Sequence, residues 1–127
     1  MDPIANFLNK LKMASFTCKE SFVFPASRLT LSIAEALVKY GYVKAAGKKG
    51  KKGRYIEVTL LYKNKEPKVN NVKRVSLLSK RIYRGAKDMR PVRDGFGTAI
   101  ISTPKGILSD MEARTQKVGG EVLFEIW

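Results

Sequence analysis

The run Ser102-Thr103-Pro104-Lys105-Gly106 sets two hydroxyls and an ammonium on what reads as a short turn between apolar stretches. Such groups offer donors and acceptors to phosphates, riboses and base edges. The same residue types could supply a nucleophile, but a serine or threonine hydroxyl needs a base to activate it. The chain has no histidine, which excludes imidazole acid–base chemistry and histidine metal sites. No lysine stands at a spacing that suggests a dyad, and a hydroxyl on a phosphate-facing turn explains Ser102 and Lys105 more simply. Asp110 and Glu112 resemble paired carboxylates, yet Ser109-Asp110-Met111-Glu112 has the reciprocal spacing of a helix capping box. Gly95-Phe96-Gly97 is a fragment of a nucleotide loop that lacks its third glycine, Ile100 standing there. No complete catalytic set emerges. The reading is a binding surface without enzymatic activity, cofactor, metal or small-molecule substrate.

Charge indicates the partner. Twenty-five Lys and Arg against eleven Asp and Glu leave a net +14 over 127 residues. A compact chain tolerates that self-repulsion when it meets a polyanion. Lys73, Arg74, Lys80, Arg81, Arg84, Lys87, Arg90 and Arg93 crowd one stretch around Tyr83. A tyrosine among arginines can stack on an unpaired base while the cations neutralise backbone. A second basic cluster, Gly47-Lys48-Lys49-Gly50-Lys51-Lys52-Gly53, reads as a mobile hairpin tip able to attract phosphates or simply to be solvated. The single Cys18 fits a reducing compartment and reads as a small buried or half-buried apolar residue rather than a reactive thiol. The opening residues lack the pattern of a signal peptide. No apolar run approaches the roughly 20 residues that span a bilayer. The expected setting is cytoplasmic, with no membrane partner.

These residues need a scaffold, and the hydrophobic pattern describes one. Asp2-Pro3 opens a helix whose buried stripe is Ile4, Phe7, Leu8 and Leu11. A strand at 20–24 stops at Pro25, and Ser27 caps a second helix burying Leu29, Ile33, Ala36, Leu37 and Tyr40 before Gly41. Strands follow at 42–44 and 55–62, the latter with strict alternation. Residues 64–71, polar and carrying Pro67, read as a linker. Beyond them lie short strands at 72–76 and 81–84, a charged loop at 87–92, the strand before Ser102, Ile107-Leu108, and a helix from Ser109 that Gly119-Gly120 ends. A closing strand, 121–127, sets Val122, Phe124 and Ile126 against Leu123, Glu125 and Trp127. The expected fold is α+β in two small packed lobes. Residues 1–63 form a helix-strand-helix-strands unit, and 72–127 a mainly β RNA-binding unit with one short helix.

The stretch from Gly95 to Arg114, with Gly119-Gly120-Glu121, closely resembles the C-terminal signature of bacterial small-subunit ribosomal protein eight. Asp2-Pro3-Ile4-Ala5, the second helix and Arg81-Ile82-Tyr83 extend the resemblance over nearly the whole chain. One departure is Leu78-Ser79-Lys80, where many relatives carry Pro-Gly. The resemblance implies a structural ribosomal protein that binds the central domain of small-subunit rRNA early in assembly, beside neighbouring ribosomal proteins. It also implies, in some bacteria, repression of a ribosomal-protein messenger that mimics the rRNA site. Carried over by motif, Ser102, Thr103, Pro104, Lys105 and Gly106 form the reading turn, and Tyr83 with Arg81 and Arg84 lies along the RNA. By the same motif Gly119, Gly120 and Glu121 let the backbone approach it closely, and the Glu121 carboxylate can accept from base amino groups or orient a neighbour.

Overall fold

The protein is described from a computed structural model covering residues 3–127 apart from the side chain of Asp94. The helix cap assigned to Asp2 lies outside the described residues. The chain divides into two compact units, Met1–Asn70 and Asn71–Trp127.

In the first unit, helix α1 (Pro3–Phe16) buries the expected Ile4, Phe7, Leu8 and Leu11, and adds Ala14 and Ser15 at the same helical period. Strand β1 (Ser21–Pro25) answers with Phe22 and Phe24. The Phe7 ring meets Phe24 edge-on at 5.5 Å and Phe22 tilted at 5.8 Å. Each such ring contributes about 1.5–3 kcal/mol by leaving water. Helix α2 (Arg28–Lys39) starts at a reciprocal cap: the Thr30 N–H donates to Ser27 Oγ at 3.1 Å, and the Ser27 N–H to Thr30 Oγ1 at 3.0 Å. Thr30 is thereby drawn inward in line with Ile33, Ala34 and Leu37, which turns Leu29 out to 38% exposure. Leu29 is not the core residue its hydropathy suggested. Gly41, at φ +81°, follows the helix end.

Strands β2 (Val43–Lys49) and β3 (Tyr55–Leu60) complete an antiparallel sheet in the order β1-β3-β2. β2 runs well past the expected 42–44. Gly47, Lys48 and Lys49 pair with Glu57, Ile56 and Tyr55, and Lys49 Nζ bridges Glu57 Oε2 at 3.0 Å. Ladder hydrogen bonds need only backbone, so a lysine–glycine run extends a strand when its partner strand is in place. The turn proper shrinks to 50–54. The expected linker also contains structure. Strands β4 (Tyr62–Lys63) and β5 (Glu66–Pro67) form a hairpin whose turn residues Asn64 and Lys65 both have positive φ, 53° and 66°. Val69 beyond it is buried. Burial, with a smaller contribution from Cys18, pushes the Tyr62 phenol above its ordinary pKa, and its hydroxyl donates to the Lys19 carbonyl. Cys18 itself is exposed, not the buried or half-buried residue expected.

The second unit comprises β6 (Val72–Arg74), β7 (Tyr83–Arg84), β8 (Thr98–Thr103), β9 (Gly106–Ser109), α3 (Asp110–Thr115) and β10 (Gly120–Ile126). The sheet runs β6-β10-β8-β9, all antiparallel, with β7 also paired to β10. β10 is thus the central strand. Beneath this sheet Ile101, Leu108 and Val122 pack with Met89, Val92, Ala99 and Ala113. A bulge between Val122 and Phe124 inserts Leu123 and leaves it 2% exposed, against the outward position that alternation implied.

Helix α3 opens as its capping spacing implied, the Glu112 N–H donating to Ser109 Oγ at 3.0 Å. It ends before the glycines expected to stop it. The Lys117 N–H reaches Arg114 O at 3.1 Å and the Val118 N–H reaches Ala113 O at 3.0 Å, with Lys117 itself at φ +57°. That is a Schellman turn built on lysine, locked by Val118 packing on the core that holds Ala113. Gly119 and Gly120 are left for another task.

Candidate nucleic-acid interface

The turn expected to read RNA is the two-residue loop of the β8–β9 hairpin, where Thr103 pairs with Gly106. Gly106, at φ +112°, occupies backbone space that other residues rarely adopt. The Lys105 N–H donates to Thr103 Oγ1 at 3.1 Å, and that hydroxyl donates to Gly106 O at 2.8 Å. Thr103 therefore builds the turn with its own donor. Pro104 and Lys105 stand exposed at the tip. The half-buried Ser102 hydroxyl has no partner among the described residues.

Register carries the site further. Glu121 on β10 lies opposite Tyr83 on β7 and Ser102 on β8, and Ser102 lies opposite Ile107 on β9. Directly paired residues project to the same face of an antiparallel sheet, about 5 Å apart per step. Tyr83, Glu121, Ser102 and Ile107 thus form one row across four strands. The adjacent row, Val122, Ile101 and Leu108, alternates into the core. Tyr83 is 69% exposed on this face. Arg81 reaches over the row with Nη1 3.0 Å from Glu121 Oε2, the carboxylate being mostly shielded. Glu121 here orients a cation. Arg84 is next to Tyr83 and alternates to the opposite face, so the row excludes it.

The two glycines explain how the row is drawn together. A Cβ on Gly120 would lie 2.1 Å from Ser102 O, and one on Gly119 2.7 Å from Arg84 O. Their close approach is to the protein's own strands β8 and β7. They hold Ser102 and Tyr83 against β10, a positioning role that spacing alone did not distinguish from contact with RNA.

Among the other cations, Lys73, Lys80, Lys87 and Arg90 are exposed. Arg74 Nε donates to Ser76 O, and Arg93 stacks 3.8 Å over the Trp127 ring. Those two serve the unit's own structure. Sequence reasoning missed Ser76, a fully buried serine whose hydroxyl accepts from the Ile82 N–H at 2.9 Å and donates to Ile82 O at 3.2 Å. This clamp sets the residues on both sides of Ile82, which are Arg81 and Tyr83. Phe96 was also missed: it is 86% exposed on a tight loop closed by the Val92–Gly97 bridge. Its signal was an aromatic between two glycines, a place where no core can form around it. No cluster of three His, Cys, Asp or Glu side chains that could hold a metal occurs among the described residues. No helix among them is long and apolar enough to cross a membrane.

The family model for ribosomal protein S8 matches residues 2–127. The chain belongs to the ribosomal protein S8 family. Relatives include the small ribosomal subunit protein uS8 of Erythrobacter litoralis, 41% identical over 127 residues, 99% of this chain and 97% of that one. The uS8 protein of Synechococcus elongatus is 42% identical over 129 residues, with the same two coverages. That of Sphingopyxis alaskensis is 38% identical over 130. Ribosomal protein S8 is a structural rather than a catalytic protein, in agreement with the incomplete catalytic sets above. In S8 terms, the stretch that carried the resemblance is the β8–β9 hairpin, α3 and the start of β10, which includes three of the four strands of that row.

Proposed function

We propose that this chain is a primary rRNA-binding protein of the small ribosomal subunit, acting in the cytoplasm beside neighbouring subunit proteins and organising the central domain of the rRNA. The observation that carries this reading is the row Tyr83–Glu121–Ser102 on the sheet face opposite the core, with Tyr83 exposed and Ser102 half-buried, ending beside the Pro104-Lys105 tip. Tyr83 offers a face for an unpaired base, and Ser102 a free hydroxyl for a base edge or ribose. Lys105 and the Glu121-held Arg81 offer cations for the flanking phosphates. The same surface would take a messenger segment that mimics the rRNA site, and the two RNAs would then compete.

The test is binding of the full chain to a central-domain rRNA fragment beside a scrambled duplex of equal length, at low and near-physiological salt. The expected preference is about 10³-fold or more, as for specific over non-specific recognition. Equal binding that washes off with salt would reduce the protein to its net charge and end the assignment.

A further inference from the structure

In the first unit, β1 pairs on one side only, with β3. The Leu60 N–H donates to Glu20 O and the Ala26 N–H to Arg54 O, each bond closing one end of the register. The even-numbered residues of β1 therefore direct their backbone groups at β3, and Ser21, Val23 and Pro25 direct theirs outward. Ser21 and Val23 have no backbone partner there among the described residues. Pro25, which has no N–H, sits where an outward donor would otherwise be, a usual place for proline on a sheet edge. The open edge thus offers the N–H and C=O groups of Ser21 and Val23.

A groove of ≈ 810 Å³ runs along this edge, with α1 as its other wall. Met13, Phe22 and Val23 give it an apolar floor, and Lys10 and Lys19 add cations. Met13 is 60% and Val23 40% exposed. No carboxylate lines the groove, and neither lysine has an acidic partner among the described residues.

We propose that the open edge of β1 takes an extended acidic peptide segment as an added strand. Its backbone pairs with Ser21 and Val23, alternate apolar side chains settle against Met13 and Phe22, and its carboxylates meet Lys10 and Lys19. An unpaired edge beside an apolar groove is the geometry of strand addition, in which main-chain bonds give affinity and alternate side chains give selectivity. Nucleic acid fits this place less well, because phosphate finds only two cations here and the floor is apolar. A second copy of the chain fits less well too, since antiparallel joining of two β1 edges brings both lysine pairs together between bodies of charge +14.

The test uses the full chain and a fluorescein-labelled octapeptide of alternating glutamate and valine. Its control is the same peptide N-methylated at every backbone nitrogen, identical in charge but unable to donate along either edge. The expected result is binding that falls about tenfold or more on N-methylation. Lys10→Glu with Lys19→Glu should lower it comparably while leaving the fold intact, both residues being on the surface. Amide exchange at Ser21 and Val23 should slow when the peptide is present. Equal binding of the two peptides would overturn the proposal, since charge alone would explain both. It would also be overturned if these amides were slowed by raising the concentration of the chain alone, or by the rRNA fragment where the peptide has no effect.

Discussion

Two basic turns of this molecule look alike as strings of small and cationic residues, yet they are built differently. The turn at 50–54 has lysines and glycines and, apart from the Lys49–Glu57 bridge on its flanking strands, few side-chain hydrogen bonds to fix it. The 103–106 turn has a single cation, but Thr103 ties it twice and Gly120 presses β10 against the carbonyl of Ser102 behind it. Charge without fixed geometry attracts any polyanion. A fixed hydroxyl and ring at set spacing can tell one RNA from another. The difference teaches where affinity and specificity should separate, and substitutions can test that separation.

The largest effect is expected from Gly120→Ala, which forces a Cβ into the Ser102 carbonyl and should cost at least about 3 kcal/mol. Chemical denaturation would measure it, and specific rRNA binding should disappear with the strand pairing. A near-neutral result would mean that β10 and β8 can part without consequence. Ser76→Ala comes next: the Ile82 N–H loses its partner while the Ile82 carbonyl keeps the Val122 N–H at 2.9 Å, at about 1–2 kcal/mol. Its signature is a drop in stability together with weaker specific binding, as Arg81 and Tyr83 lose their setting. Replacing Lys48, Lys49, Lys51 and Lys52 by alanine should lower the slope of log affinity against log salt, by up to about 0.9 for each phosphate no longer neutralised. The weakening should be equal on specific and scrambled RNA, with Lys49 contributing least because Glu57 already holds it. The smallest change is Ser102→Ala, expected to weaken the specific complex by about 1 kcal/mol and leave scrambled RNA unaffected. Equal weakening on both would show that the two turns work the same way.

Helix faces were the most legible part of the chain. Ile4, Phe7, Leu8 and Leu11 could share only one side of α1, because the helical period leaves no other arrangement. Leu29 failed for a local reason: Ser27 recruits the Thr30 side chain, and the cap rotates the first turn. Errors in the sheets had a different origin. That Lys48 and Lys49 are strand residues depends on β3 lying beside them, and the bulge at Leu123 depends on how β10 meets β8. Neither partner is close in sequence, so no local pattern contains the answer.

The candidate site divides along the same line. The residues of the Ser102–Gly106 turn were legible as a hydroxyl-and-cation loop, since small polar residues between apolar runs have few other uses. Their alignment with Tyr83 was not legible; that Glu121 could orient a neighbour was, but not that the neighbour is Arg81. The inward use of Gly119 and Gly120 stayed hidden as well. By itself the sequence determined the helices, the polyanion-seeking charge, the absence of imidazole chemistry and the family signature. All of these are properties of composition or of short periodic windows. Only the tertiary structure decided which residues form the row opposite the core, which glycines support it and which edge of β1 stays open. Those depend on the register between strands far apart in the chain, where a shift of one residue would exchange the core face for the surface.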